Sequence, residues 1–127
     1  MSIHVLNPKD KVEKLYGGVT KVLRQNGDTE YFHDDVRHRN NYPAIIYADG
    51  GTEWWSNGLR HRLIYPAVIL QDGTRMWYHY GKLHRTLHRP AVIFGNGKLE
   101  YWEDGTLIST YNPDDHKILE LKINNGD

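Results

Sequence analysis

The chain has 127 residues and a mass of 14.9 kDa, the size of one domain, with 16 basic and 16 acidic side chains and no cysteine. Zero formal net charge disfavours a strongly basic nucleic-acid binder, and the lack of cysteine excludes disulfide scaffolds, thiolate zinc sites and cysteine nucleophiles. Apolar residues at 39% and charged residues at 25% argue for a folded chain; no apolar run reaches membrane length and Met1–Asp10 has no signal-peptide pattern, so a cytoplasmic protein without a membrane span is expected.

The first segment, 1–19, reads as an N-terminal cap. It holds a short apolar stretch at Ile3 and Val5, then Asn7-Pro8, then a helical turn through Val12 and Leu15. An internal repeat follows. Pro43-Ala44-Ile45-Ile46, Pro66-Ala67-Val68-Ile69 and Pro90-Ala91-Val92-Ile93 are three versions of one segment, their prolines 23 and 24 residues apart. His38-Arg39, His61-Arg62 and His84-Arg85 recur with them, as do Gly50, Gly73 and Gly97, and Gly58, Gly81 and Gly105. The extra residue lies in the third linker, Thr86-Leu87-His88-Arg89, against Asn40-Asn41-Tyr42 and Leu63-Ile64-Tyr65. A degenerate first copy aligns Thr20 with the prolines, and the last copy has Ile108-Ser109 in place of His-Arg. Atypical end copies are expected of an array. The four copies run roughly Thr20–Arg39, Pro43–Arg62, Pro66–Arg85 and Pro90–Ser109.

Each copy reads as a β-hairpin. A β-branched arm leads into Asn26-Gly27, Asp49-Gly50, Asp72-Gly73 or Asn96-Gly97, the residues of a two-residue type I′ turn. The returning arm carries an aromatic pair: Tyr31-Phe32, Trp54-Trp55, Trp77-Tyr78 or Tyr101-Trp102. A second turn follows at Asn57-Gly58, Tyr80-Gly81 and Asp104-Gly105. A two-residue first turn sets a register in which Tyr31, Trp54, Trp77 and Tyr101 share a face with Val22, Ile45, Val68 and Val92. Both faces are then apolar, and one needs a cover: a terminal segment, a second copy of the chain or a partner. The tail, 110–127, offers a helix start at Asn112-Pro113-Asp114-Asp115 and a strand-like alternation at Leu119, Leu121 and Ile123, with Asn124–Asp127 expected to fray. The fold expected is all-β: one domain over 1–127, an elongated, twisted antiparallel meander of four hairpins at 20–109 between short caps.

Three groups of residues carry chemical interest. The His-Arg column (His38, His61 and His84 with Arg39, Arg62 and Arg85) lines up if the copies stack. Beside Trp54, Trp77 and Tyr101 it would suit a phosphate, a nucleotide or an acidic protein surface. The architectural alternative has each His satisfying a turn and each Arg stacked on an aromatic or paired with a carboxylate, for which Glu30, Glu53 and Glu100 recur at one position. The aromatic rows are either a ligand platform or the core of a thin sheet. His33-Asp34-Asp35 with His38 offers metal-ligand chemistry, but turns favour Asp for backbone reasons and the other copies lack the cluster, so no metal or other cofactor is assigned. His79 and His88 read as surface or satisfied histidines. Ser56 and Ser109 have no His–carboxylate neighbours, and no catalytic residue is assigned.

The unit Asn57-Gly58-Leu59-Arg60-His61 followed by Asp72-Gly73-Thr74-Arg75-Met76-Trp77, with Gly81-Lys82-Leu83-His84, resembles the membrane occupation and recognition nexus (MORN) repeat. It is also similar to the YwqK-type repeats of small bacterial antitoxin-like proteins. The resemblance covers about Thr20–Ser109. It departs from the family where Arg39, Arg62 and Arg85, then Pro-Ala, stand in place of glycines, a variant similar to small phage and bacterial proteins. The resemblance implies a non-enzymatic scaffold for protein contacts. The expected function is binding to a protein partner, host or self, including a homodimer through a sheet face, by a phage or bacterial accessory protein that sequesters a host component. The alternative is a protein that sequesters a small phosphate-bearing ligand or nucleotide through the Arg column and the aromatics. Single-stranded nucleic acid ranks below both because the net charge is zero.

Overall fold

The computed structural model describes residues 6–115. The fold is all-β, an open antiparallel sheet of 11 strands with two small two-stranded ribbons beside it. An edge strand, β1 (Lys11–Lys14), precedes copy 1, which holds β2 (Val19–Leu23), β3 (Thr29–His33) and β4 (Val36–Arg37). Copy 2 holds β5 (Ile45–Ile46), β6 (Thr52–Glu53), β7 (Trp55–Ser56) and β8 (Leu59–Arg60). Copy 3 repeats this with β9 (Val68–Ile69), β10 (Arg75–Met76), β11 (Tyr78–His79) and β12 (Lys82–Leu83). Copy 4 holds β13 (Val92–Ile93), β14 (Leu99–Glu103) and β15 (Thr106–Tyr111). Strands neighbour in sequence order, as a meander requires; β7–β8 and β11–β12 form the ribbons. Among the described residues, no helix is long and apolar enough to cross a membrane.

The first turn of each copy differs from the expected type I′. Gly73 N–H donates to the Leu70 carbonyl, and Leu70 N–H to the Thr74 carbonyl. The loop is therefore three residues long, with only its glycine left-handed (Gly73, φ 91°). This is a type I turn closed by a glycine bulge. The Asp or Asn supplies a side-chain acceptor rather than a positive φ: Asp72 Oδ1 takes the Thr74 N–H at 2.8 Å, and Asn26, Asp49 and Asn96 do the same for their residue i+2 at 2.9–3.0 Å. The type I′ turns are the second ones, where Asn57-Gly58, Tyr80-Gly81 and Asp104-Gly105 all have positive φ.

One extra loop residue moves the returning arm by one position and turns every side chain on it over. Val22 faces Glu30 and Ile45 faces Glu53, so Phe32, not Tyr31, shares the face of Val22, and the two form a buried cluster. The expected sharing of a face by Tyr31, Trp54, Trp77 and Tyr101 with the Val/Ile row is thus corrected. One cross-strand row runs Val22, Glu30, Ile45, Glu53, Val68, Met76, Val92, Glu100. The row beside it, on the other face, runs Leu23, Thr29, Ile46, Thr52, Ile69, Arg75, Ile93, Leu99. The core is thin. Val22, Ile45, Val68 and Val92 are buried on one face, and Ala44, Ala67, Ala91, Tyr31 and Trp77 are buried as well.

The returning arms of copies 2 and 3 break at Trp54 and Trp77. Trp54 N–H bonds Ala67 of the next copy while its carbonyl accepts from His61 of its own ribbon; Trp77 does the same with Ala91 and His84. The strand leaves the main sheet and enters the ribbon at that residue. Copy 1 has Thr20 in place of proline, and its ladder runs without interruption from Leu23↔Thr29 to Val19↔His33. In copy 4, β14 stays paired with β15 through a bulge at Tyr101/Trp102. The expected helical turn through Val12 and Leu15 is absent. Val12 lies in β1, paired with β2, and Leu15 is extended, its N–H donating to the Val19 carbonyl. The 3-10 turn Tyr16–Gly18, with Gly17 and Gly18 at positive φ, reverses the chain. The helix start at Asn112 is present: residues 113–115 are helical, and Asn112 Oδ1 caps the Asp114 N–H at 3.0 Å. Ile3, Val5, Leu119, Leu121, Ile123 and Asn124–Asp127 lie outside the described residues.

Two glycines test this register. A Cβ on Gly95 would lie 2.2 Å from the Asp72 carbonyl oxygen, whereas one on Gly73 meets nothing within 4 Å. Gly95→Ala is expected to cost at least about 2 kcal/mol by forcing the copy 3 and copy 4 turns apart. Gly73→Ala is expected to cost about 1–2 kcal/mol from backbone strain alone. Denaturant melts of the two variants check the order.

Candidate functional site

The His-Arg column is built from backbone outward. Each His N–H bonds the aromatic residue seven positions earlier: His38 to Tyr31, His61 to Trp54 and His84 to Trp77. The ring then reaches the next copy. Nδ1 of His38, His61 and His84 accepts the backbone N–H of Asn57, Tyr80 and Asp104 at 3.0, 3.0 and 3.1 Å. Beside each, the turn glycine donates to the preceding copy: Gly58 to Arg37, Gly81 to Arg60 and Gly105 to Leu83. A type I′ turn leaves these N–H groups outside its own ribbon, and the imidazole satisfies the first of them. Nδ1 must therefore be unprotonated and the second ring nitrogen carries the proton. His61 also stacks on Tyr80, with ring centroids 3.9 Å apart.

Each arginine of the column lies on the aromatic of its own copy. The guanidinium carbons of Arg39, Arg62 and Arg85 sit 3.7 Å from the ring centroids of Tyr31, Trp54 and Trp77. The same groups donate through Nη1 to the carbonyls of Pro43, Pro66 and Pro90 at 3.3, 3.1 and 3.2 Å. The arginine thus ties the linker back onto the aromatic. Burial pushes the Arg62 guanidinium below its ordinary pKa. Tyr101 has no such arginine, since Ser109 faces it across the strand pair.

The candidate residues fall into two shallow grooves. His61, Arg62 and Trp54 line one of about 650 Å³ together with Arg39. His84, Arg85 and Tyr101 line another of about 490 Å³. Trp77 lines neither, being buried. A feature not read from the sequence borders both grooves: the linkers project apolar side chains into solvent. Leu63 and Ile64 are 82% and 76% exposed, Leu87 is 75%, and Tyr42 and Tyr65 are exposed too. The signal was present as three consecutive apolar residues in a loop, where polar ones are expected.

In the carboxylate row, Glu30 and Glu53 pair with other arginines than those of the column, and Glu100 accepts from Trp102 Nε1 at 2.8 Å. Glu30 holds Arg37 and Arg24, and Glu53 holds Arg60 at 2.8 Å. Glu53 is buried and fully engaged, accepting from Tyr47 Oη, Trp55 Nε1 and Arg60 Nε. Burial raises the pKa of its carboxyl, but these three donors outweigh burial and hold it below the ordinary value. Arg37 lies between Phe32 and Trp55, and Arg60 between Trp55 and Tyr78, all within 4.9–5.5 Å. Cations and rings thus alternate across three copies. Copy 3 replaces both members of the ion pair, with Met76 and Leu83. His33 and His38 have ring centroids 5.9 Å apart, and among the described residues no three His, Asp or Glu side chains converge as a metal site requires.

Glu53→Gln is expected to destabilise by about 1–3 kcal/mol, because Arg60 loses its charged partner in a half-buried site. Glu53→Met combined with Arg60→Leu, the pair that copy 3 carries, is expected to recover only part of that loss in the same melt, since Tyr47 Oη and Trp55 Nε1 still lose their acceptor. Adding Tyr47→Leu and Trp55→Tyr, as in copy 3, should recover more. Stability should also fall with acid in two windows. Burial, then the charge of His79, lowers the His61 pKa in the folded state, so the unfolded chain takes up the proton first; stability is full above about 6.5 and declines as pH drops below it. Glu53, also lowered on folding, adds a second decline below its ordinary value of 4.5. Chemical denaturation at a series of pH values checks both, and His61→Ala should remove much of the first.

Comparison with protein-family models gives no match, and comparison with curated protein sequences gives none either.

Proposed function

We propose that this chain is a non-enzymatic β-repeat interaction module that binds a protein partner along its linker edge. The observation that carries the proposal is the set of exposed apolar linker side chains, Leu63, Ile64 and Leu87 above all, standing beside grooves walled by His and Arg. Exposed apolar groups gathered on one side of a small protein mark contact surfaces. The tips sit on loops held by the Arg–Pro carbonyl bonds, so little ordering entropy opposes their docking. The complementary partner surface is an apolar patch rimmed by carboxylates. The resemblance to MORN-like repeats supports a scaffold role, and with it the setting of a phage or bacterial accessory protein that sequesters a host component. In copies 1 and 2 the ligand-binding alternative has one column arginine each, Arg39 and Arg62, with Thr29 and Thr52 at the place where copy 3 adds Arg75.

Leu63→Asp with Ile64→Asp is expected to weaken partner capture at least about tenfold, as loss of central apolar anchors does. Being exposed, the two positions should shift stability by no more than about 0.5 kcal/mol each. Affinity capture from the native host, read by mass spectrometry for wild type and variant in parallel, checks this. Identical capture by both would sink the proposal. Sedimentation of each protein alone shows whether the partner is a second copy, in which case the variant becomes monomeric where the wild type is not.

A further inference from the structure

Copy 3 carries its charge differently from its neighbours. Where copies 1 and 2 have Thr29 and Thr52, it has Arg75, and its lengthened linker ends in Arg89. On the opposite face it has lost both members of the Glu–Arg pair, to Met76 and Leu83. Charge has moved from a carboxylate-paired row to one without carboxylates. Between Leu23 and Leu99, Arg75 is the single charged residue of its cross-strand row, set between Ile69 and Ile93. Arg75 and Arg85 approach the same ring, their guanidinium carbons 5.8 and 3.7 Å from the centroid of Trp77. Burial first, then the charges of Arg89 and Arg75, push the Arg85 pKa down, as three neighbouring guanidiniums would.

Arg24, Arg37 and Arg60 each hold a carboxylate; among the described residues Arg75, Arg85 and Arg89 hold none. Glu103 lines the same groove as Arg85 and Arg89 without pairing with either. Arg85 donates to Pro90 through Nη1 alone, and Arg75 and Arg89 are exposed. Gathered like charges without an ion-paired carboxylate oppose folding, and a bound anion relieves them. We propose that Arg75, Arg85 and Arg89 form a binding site for a phosphate-class dianion. Three planar guanidinium forks match a tetrahedral dianion with several acceptor oxygens, whereas a single carboxylate leaves most of the positive charge unbalanced. The ligand needs no nucleobase: Trp77 is only 6% exposed and Arg85 covers its ring, so it offers no platform for stacking.

Arg85 and Arg89 share a groove with Leu87 of the contact surface proposed above, whereas Leu63 and Ile64 lie in the other groove, and the experiment uses that difference to keep the two readings apart. Calorimetric titration of the full chain with inorganic phosphate is expected to saturate. Arg75→Thr, which installs the residue of copies 1 and 2, and Arg89→Ala are each expected to weaken binding at least about tenfold. Lys98→Ser, an exposed charge removed elsewhere, and Leu63→Asp with Ile64→Asp should leave it unchanged, and thermal melts verify that every variant is folded. Glycerol phosphate and O-phosphoserine are titrated in parallel. Tighter binding of either supports a site that reads a phosphoryl group on that carrier, and equal binding of all three supports a site for the free dianion. No saturation by any of them up to about 10 mM, or saturation that survives in Arg75→Thr and Arg89→Ala, overturns the proposal.

Discussion

The structure depends on the three-residue turn that opens every copy. Its left-handed glycine adds one residue to the loop, and that residue decides which side chains meet. With it, the Val/Ile row of one arm faces the Glu row of the next, and the aromatic pair is divided so that Phe32 and Trp55 join the carboxylate face. Tyr31, Trp54 and Trp77 go to the face where Arg39, Arg62 and Arg85 can lie across them. Both stacks of cations on rings follow from this register. A sheet with so little enclosed volume buries few side chains completely, and these stacks supply cohesion that a thicker core would draw from aliphatic packing.

Much of this could be read from the residues. The copies, their boundaries and the hairpins follow from recurring Pro-Ala, Asx-Gly and His-Arg. The turn type did not, because Asp49-Gly50 satisfies a two-residue and a three-residue loop equally well. Side-chain alternation normally chooses between registers, but both faces here are apolar and the choice is lost. Recurrence placed His61 and Arg62 in columns without telling a ligand ladder from a structural one. The distinction rests on the carbonyl of Pro66 and the N–H of Tyr80, backbone groups that every residue has and that leave no mark in composition. The linker tips escaped notice for another reason. Leu63, Ile64 and Tyr65 continue no periodic pattern, so nothing in their spacing says whether they point in or out.

The copies are alike in frame and unlike in charge. Copy 2 satisfies a buried carboxylate with three donors, and copy 3 fills the same place with Met76 and Leu83. Paired replacement of this kind leaves the backbone unchanged, since removing both charges avoids stranding either one. A repeat can therefore vary its surface one copy at a time. Arg75 and Arg89 are two such variations, and the apolar run in the second linker is another.

The histidine clamps also give the array a direction. Each ring reaches forward, from copy 1 to 2, 2 to 3 and 3 to 4, and copy 4 has no histidine at that place. Every clamp spans 19 or 20 residues, so no copy waits on a distant part of the chain to complete its bonds. Such short-range wiring favours rapid zippering from any adjacent pair of copies. It also shapes the response to force. A pull on the two ends of the chain would peel the array one copy at a time, each step releasing one clamp, one turn glycine and one arginine stack together, so that the molecule yields as a series of small, similar events rather than in a single rupture.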